Sequence, residues 1–102
     1  MSAYKIGLSE KDGRKELRFS GNLIINNIEK IYNELQELLI IDKPLSVFVE
    51  NPENIDITFI QLIVSIKKAC LESNVDFKVE ATLKDDFKQL IEKAGLEKEI
   101  TN

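Results

Sequence analysis

A threonine hydroxyl at the start of an apolar helical pattern, Thr58, is the side chain best placed to do chemistry in this sequence. Thr58 can accept a backbone hydrogen bond as a helix N-cap, and Gln61 three residues later completes a Thr-x-x-Gln capping box. Ile57 and Leu62 occupy the positions of the hydrophobic staple that accompanies such a box. The free N–H groups and the dipole of a helix start also favour an anion such as phosphate. The stretch therefore predicts a helix cap, with an anion site at the same place as the alternative.

The remaining reactive side chains give little sign of catalysis. Glu53 and Asp56 are close in sequence but are typical of a charged loop, and Asp85 and Asp86 fall where a first helical turn favours carboxylates. Cys70 lies on an apolar helical stripe, which predicts a small core residue. The chain has no histidine, and its four glycines are scattered rather than gathered into a phosphate-binding loop. We therefore expect no enzyme, no metal site and no cofactor.

Alternating apolar residues predict the strands that would position this helix start. Residues 4–8 and 15–19 alternate on either side of an Asp-Gly pair, which indicates a β-hairpin. Residues 45–49 form a short, nearly continuous apolar run, which is typical of a central strand. Residues 75–81 alternate again, which predicts a strand with one solvent-facing side.

Helical spacing of apolar residues predicts three helices, two between these strands and one after the last. The first covers about 27–39, with Asn26 or Asn27 as its cap. The second runs from Thr58 to about residue 73, after a loop over residues 51–54. The third begins at a Thr82 cap and ends at Gly95, where glycine commonly terminates a helix.

The resulting order, β-β-α-β-α-β-α, predicts an α/β fold in a single domain over residues 1–102. Strands joined through a helix should be parallel with right-handed crossovers, and only the first hairpin adds an antiparallel strand. We expect a mixed, mostly parallel sheet of about four strands with three to four helices. The strict alternation indicates that helices cover one face of the sheet while the other is partly wet.

Charge and composition narrow the class of partner. The net charge of −4 argues against binding to the phosphate backbone of nucleic acid. A single cysteine fits a reducing compartment. No window approaches the run of about 20 apolar residues that spans a bilayer, and the N-terminus has no signal-peptide pattern. We expect a cytoplasmic protein that does not insert into the membrane.

Four short motifs, in this order and spacing, resemble one family. Residues 17–23, Leu-Arg-Phe-Ser-Gly-Asn-Leu, look like its second strand and the Gly-polar-Leu step that follows, and Val-Phe-Val at 47–49 looks like its central strand. Asp-Ile-Thr-Phe at 56–59 stands where the family commonly has Asp-Ser-Ser-Gly or Asp-Thr-x-Gly, and Ala-Gly-Leu at 94–96 matches the end of its third helix. From about residue 15 to residue 100, the chain resembles a STAS domain, the fold of bacterial anti-sigma factor antagonists.

The resemblance implies a switch whose motif is degenerate here. In such domains, phosphorylation of the Ser or Thr directly after the Asp releases a bound partner. That position is Ile57, which has no hydroxyl, while Thr58 matches the second hydroxyl residue and Phe59 replaces the glycine. Thr58 is therefore the candidate acceptor, and we expect the fold to tolerate a phosphate there because a helix start favours negative charge.

By resemblance, the function is a non-catalytic interaction module in bacterial signalling, with a partner-switching or scaffold role in the regulation of transcription. Its partner would be an anti-sigma factor, a serine/threonine kinase or a histidine kinase system. The predicted partner-binding residues are Asn22, Asn54, Asp56, Ile57, Thr58, Phe59 and Gln61. The alternative is an accessory subunit of a membrane transport system, because STAS-like domains also occur on transporters. A nucleotide-binding function rests only on polar helix starts beside parallel strand ends.

Overall fold

Seven helices and strands follow one another over residues 3–82, the part of the chain that the structure, a computed structural model, describes. They are β1 (Tyr4–Lys11), β2 (Arg14–Leu23), α1 (Ile25–Leu38), β3 (Leu45–Glu50), β4 (Asn54–Ile55), α2 (Ile57–Glu72) and β5 (Phe77–Thr82). The predicted third helix, with Asp85 and Asp86 in its first turn, lies outside the described residues.

The predicted hairpin is confirmed. β1 and β2 pair antiparallel without interruption, from Tyr4 opposite Gly21 to Lys11 opposite Arg14. The two turn residues, Asp12 and Gly13, both have positive φ angles, of 54° and 76°. Positive φ at both central positions defines a type I′ turn, whose twist matches that of the flanking strands.

The predicted α/β class with a mixed, mostly parallel sheet is also confirmed. The strand order is β1-β2-β3-β5, with β4 paired to the end of β2. The β2–β3, β3–β5 and β2–β4 pairs are parallel, and only the hairpin is antiparallel. The described residues contain five strands and two helices. The predicted loop over residues 51–54 was wrong at its end, because Asn54 begins the two-residue strand β4.

The two faces of the sheet differ as predicted. Both crossovers step in the same direction along the sheet, which places α1 and α2 on one face. The side chains beneath them form the core, with Leu17, Phe19, Val47 and Val49 all buried. On the opposite face the side chains are polar or only partly covered, and the Arg18 guanidinium lies 4.5 Å from the centre of the Phe48 ring.

Helix α1 begins two residues earlier than predicted, at Ile25. Its N-cap residue, Ile24, makes no side-chain capping bond, so the prediction of an Asn26 or Asn27 cap was wrong. Asn27 lies inside the helix and is buried. A side chain 31 residues further along the chain, Asp56, accepts the Ile25 N–H instead.

Two glycines in the strands of the hairpin, Gly7 and Gly21, provide a matched test of the fold. Gly21 has a φ of 87°, and a Cβ there would meet the Ala3 carbonyl oxygen at 2.6 Å and the Tyr4 Cα at 2.8 Å. We expect Gly21→Ala to lower the free energy of unfolding by more than about 2 kcal/mol, because both the backbone angle and the contact with backbone atoms are unfavourable.

Gly7→Ala is the control, since nothing lies within 4 Å of a Cβ at that position. Relief of glycine's backbone entropy should make this variant neutral or more stable by up to about 1 kcal/mol. Urea unfolding of the two variants measures both effects. Equal destabilisation by the two substitutions would contradict the close approach at Gly21.

A tyrosine–carboxylate bond links β1 to α1 and gives a pH-dependent prediction. The Tyr4 hydroxyl donates to Glu34 Oε1 at 2.5 Å, and this bond, with burial and the nearby charge, raises the pKa of Tyr4 to about 12. A raised pKa favours the protonated form in the folded state. The stabilisation is therefore complete below about pH 10 and is lost as the pH rises from about 10 to about 12.

The measurement is the alkaline titration of Tyr4 by absorbance in a Tyr32→Phe background, where Tyr4 is the remaining tyrosine. Adding Glu34→Gln should return the pKa of Tyr4 toward 10, because the charged acceptor is removed. Adding Glu37→Gln, on the same helix, should leave it near 12. Identical titrations of the two double variants would exclude the Tyr4–Glu34 bond as the cause.

Candidate functional site

The end of β2 and the short strand β4 bring the starts of both helices together. Asn22 pairs with Asn54 and Leu23 with Ile55, in parallel register. The Asp56 N–H then donates to the Leu23 carbonyl at 3.2 Å, which extends the ladder by one residue. Because both strands run straight into a helix after this point, the first turns of α1 and α2 lie side by side.

One carboxylate caps both of these helices. Asp56 Oδ1 accepts a hydrogen bond from the Thr58 N–H at 3.0 Å, which makes Asp56 the N-cap of α2. Its other oxygen, Oδ2, accepts from the Ile25 N–H at 2.7 Å, in the first turn of α1. Both N–H groups belong to the unpaired donors of a helix start, and the negative charge lies at the positive end of both helix dipoles.

The prediction that Thr58 caps α2 was therefore wrong. Thr58 is the second helical residue, and its hydroxyl also donates to Asp56 Oδ1. The capping box with Gln61 fails as well, because the third helical position is Phe59 rather than Gln61. With Asp56 as the cap, the hydrophobic staple consists of Ile55, before the cap, and Ile60, at the fourth helical position, instead of Ile57 and Leu62. Both Ile55 and Ile60 are buried.

A group of asparagines holds the β2–β4 junction. The Asn54 side-chain amide donates to Asn22 Oδ1 at 2.7 Å, and the Asn22 amide reaches the Glu53 carboxylate at 3.4 Å. From α1, the Asn27 amide donates to the Asn22 carbonyl at 2.9 Å. Within residues 3–82, no buried side-chain nitrogen or oxygen lacks a hydrogen-bond partner. Asn22 and Asn27 therefore serve the architecture of the site.

The predicted partner-binding residues divide by exposure. Asn54 and Gln61 are exposed, and Asp56, Ile57 and Thr58 are half-buried. Phe59 is 0% exposed, and its ring packs edge-on against Phe19 with the centroids 5.0 Å apart. Asn22 is 8% exposed. Phe59 and Asn22 are thus a core residue and a junction residue, with almost no surface to offer a partner.

The sequence-based prediction missed Ile25, whose side chain is 63% exposed although it adjoins the Asp56 cap. The available signal was the run Leu23-Ile24-Ile25, because three consecutive apolar side chains cannot all face the same side of a strand or helix. Ile25 and Ile57 are the first residues of the two helices, so the site presents apolar side chains next to the Thr58 hydroxyl.

Cofactor-binding and reactive groups are sparse in the described part of the chain. Among residues 3–82, no three His, Cys, Asp or Glu side chains lie close enough together to hold a metal ion. Cys70 is buried, and burial raises the pKa of its thiol, which disfavours the reactive thiolate. Neither described helix is long and apolar enough to cross a bilayer.

The double cap predicts an unusually costly single substitution. Asp56→Ala removes the N-cap of α2 and leaves the Ile25 N–H of α1 without its acceptor, so we expect a loss of about 2–4 kcal/mol in the free energy of unfolding. Asp56→Asn should cost less, because one amide oxygen can still serve one of the two helices. Urea unfolding measures the cost, and amide hydrogen exchange at Ile25 and Thr58 shows which helix start opens.

Glu53→Ala is the matched control, since this neighbouring carboxylate is exposed and accepts only a long bond from Asn22. It should change the stability by about 0.5 kcal/mol or less. If Asp56→Ala unfolded no more easily than Glu53→Ala, the carboxylate could not be what joins the two helix starts.

Comparison with known proteins agrees with this architecture. The family model for the STAS domain matches residues 5–102. No curated protein matches the chain significantly. STAS domains are generally non-catalytic modules that mediate protein–protein interactions. The chain belongs to the STAS domain family.

Proposed function

We propose that this protein is an interaction module of bacterial signalling that binds a regulatory protein through the paired helix starts. The docking surface consists of Ile25, Asn54, Ile57, Thr58 and Gln61. The observation that carries the proposal is the exposed Ile25 side chain, held beside the Thr58 hydroxyl by a carboxylate that bonds both helices. In the STAS resemblance, the partner docks around this same helix start.

The composition of the docking surface suits a protein partner. Apolar side chains at its centre, Ile25 and Ile57, are flanked by the exposed amides of Asn54 and Gln61. Protein interfaces have this arrangement of an apolar centre with a polar rim. Covering Ile25 would contribute about 1–2 kcal/mol, as expected for an aliphatic side chain that is mostly exposed beforehand. Because Asp56 already fixes both helix starts, little ordering cost remains for binding.

Thr58 is the acceptor through which phosphorylation would act on this surface. Its hydroxyl donates to Asp56 Oδ1, so a phosphate would replace that donor with about −1.5 to −2 charge beside a carboxylate. The expectation that a phosphate is simply tolerated at this helix start changes accordingly, because Asp56 already occupies the anion position. Phosphorylation would weaken the Asp56 cap and place charge on the docking surface, and both effects would favour partner release.

The proposed class of partner rests on the family resemblance. An anti-sigma factor, a serine/threonine kinase or a histidine kinase system in the cytoplasm fits a non-catalytic STAS domain without a membrane span in its described part. An accessory role on a membrane transporter would use the same fold, and the class of protein that this chain captures distinguishes the two functions.

The test is an affinity capture from host lysate with Mg-ATP, using wild type, Ile25→Gln and Leu71→Gln as baits. Ile25 and Leu71 are both 63% exposed, but Leu71 lies at the far end of α2. We expect an anti-sigma factor or kinase on wild type and on Leu71→Gln, with at least a tenfold loss on Ile25→Gln, equivalent to about 1.4 kcal/mol. Equal capture by all three baits would place the interface elsewhere, and a transport protein in the eluate would favour the accessory-subunit function.

Thr58 variants test the regulatory part separately. Thr58→Glu should release the partner because it places a carboxylate beside Asp56 and on the docking surface, whereas Thr58→Ala should retain most of the binding. Mass analysis of the wild-type bait after incubation with Mg-ATP would show one added phosphate at Thr58. Binding that is unchanged in both variants, with no added phosphate, would indicate a constitutive scaffold.

A further inference from the structure

The first strand of the sheet has an open edge whose geometry can be derived residue by residue. The Asn22 N–H donates to the Ala3 carbonyl at 2.8 Å, opposite it in the hairpin register. Hydrogen-bonded pairs alternate along an antiparallel ladder, so every odd-numbered residue of β1 bonds to β2. The N–H and C=O groups of Tyr4, Ile6, Leu8 and Glu10 consequently point away from the sheet.

This edge lacks two of the features that usually protect an edge strand, a proline and a bulge, although Lys5 and Lys11 supply charge. β1 is eight residues long, contains no proline, and pairs with β2 without a bulge. In the described part of the chain, no strand pairs with its outer side. Tyr4, Ile6 and Leu8 pack against the core but remain only partly buried. Long, regular edge strands of this kind tend to pair with another chain unless charges or bulges prevent it.

We propose that β1 pairs antiparallel with β1 of a second copy of this chain, about a two-fold axis through Gly7. Only outward-pointing residues can exchange hydrogen bonds, so even-numbered residues must lie opposite even-numbered residues. Centred on Gly7, the pairing places Ile6 opposite Leu8 of the second copy and Tyr4 opposite its Glu10. The apolar side chains of both copies then share one face, and the two sheets join into one continuous sheet.

Charge and strand length together favour this register over its neighbours. Centred on Gly7, Lys5 lies opposite Ser9 of the second copy, and Lys11 lies opposite its Ala3. A shift to a centre at Leu8 would set Lys5 against Lys11 and Ile6 against Glu10, which places like charges and mismatched side chains together. A shift to a centre at Ile6 would leave Glu10 beyond the pairing strand. Gly7 itself places no side chain at the axis, and its open side has nothing within 4 Å of a Cβ position.

The β1 edge is separate from the docking surface, so the dimer neither requires nor excludes partner binding there. The paired helix starts depend on β2, β4 and Asp56, whereas the proposed dimer uses the opposite side of the hairpin. The proposal therefore stands independently of the proposed function.

A charge swap tests the register. In the monomer Ser9 faces Glu16, so Ser9→Lys should keep or improve the fold. In the dimer the new lysine of each copy would face Lys5 of the other copy. Two like-charge pairs would form, so the dimer Kd should rise about tenfold. The double variant Lys5→Glu/Ser9→Lys restores an opposite-charge pair and should return the Kd to the wild-type value or below. Ser9→Thr, which adds no charge, is the matched control.

Sedimentation equilibrium from micromolar to millimolar concentration measures these constants. Amide hydrogen exchange gives a second readout, because the outward N–H groups of Ile6 and Leu8 should gain protection with concentration while Gly7 is protected throughout. A wild-type chain that stays monomeric over this range would overturn the proposal. So would a dimer that Ser9→Lys leaves unchanged, or one that the double variant fails to restore.

Discussion

The contact on which the rest of the structure depends is the carboxylate of Asp56 between two helix starts. Its two oxygens lie 3.0 Å from the Thr58 nitrogen and 2.7 Å from the Ile25 nitrogen. Each helix start alone would leave unpaired N–H groups, and α1 has no cap in its own sequence. By serving both, Asp56 fixes the position of α1 relative to α2 at one end of the sheet. The two-residue strand β4, paired with the end of β2, brings Asp56 to this place next to the Leu23 carbonyl.

Most of the fold could be predicted because its signals are local and periodic. Alternation predicted the hairpin strands and β5, the apolar run at 45–49 predicted the central strand, and helical spacing predicted both described helices. β4 could not be predicted in this way, because two residues are too short to show a period. The early start of α1 was missed for a related reason. Its cap comes from Asp56, 31 residues away in sequence, and a capping rule reads only adjacent residues.

Several residues of the predicted site come together in the structure, although the capping role was assigned to the wrong one. Thr58 and Asp56 do meet at the start of α2, and Asn22 and Asn54 do contact each other. The cap was assigned to Thr58 rather than to Asp56, because Asp and Thr are both good N-caps and residue type alone does not decide between positions two residues apart. Exposure was the other gap. A sequence shows that Phe59 and Ile25 are both apolar, yet only the packing shows that one is buried against Phe19 and the other faces solvent.

The departures from the family pattern at 57 and 59 have a common physical consequence. Where the resemblance implies a glycine, Phe59 fills the core, and its edge-on contact with Phe19 contributes about 0.5–1.5 kcal/mol beyond simple burial. Where it implies a phosphate acceptor, Ile57 places a half-buried apolar side chain. At position 59 a flexible glycine is replaced by a packed aromatic ring, and at position 57 a polar side chain is replaced by an apolar one. Both differences increase apolar packing at the helix start. The hydroxyl that remains, on Thr58, is already bonded to the carboxylate that joins the helices. A modification of that hydroxyl would therefore act on the helix pair as well as on the proposed docking surface, because both depend on Asp56.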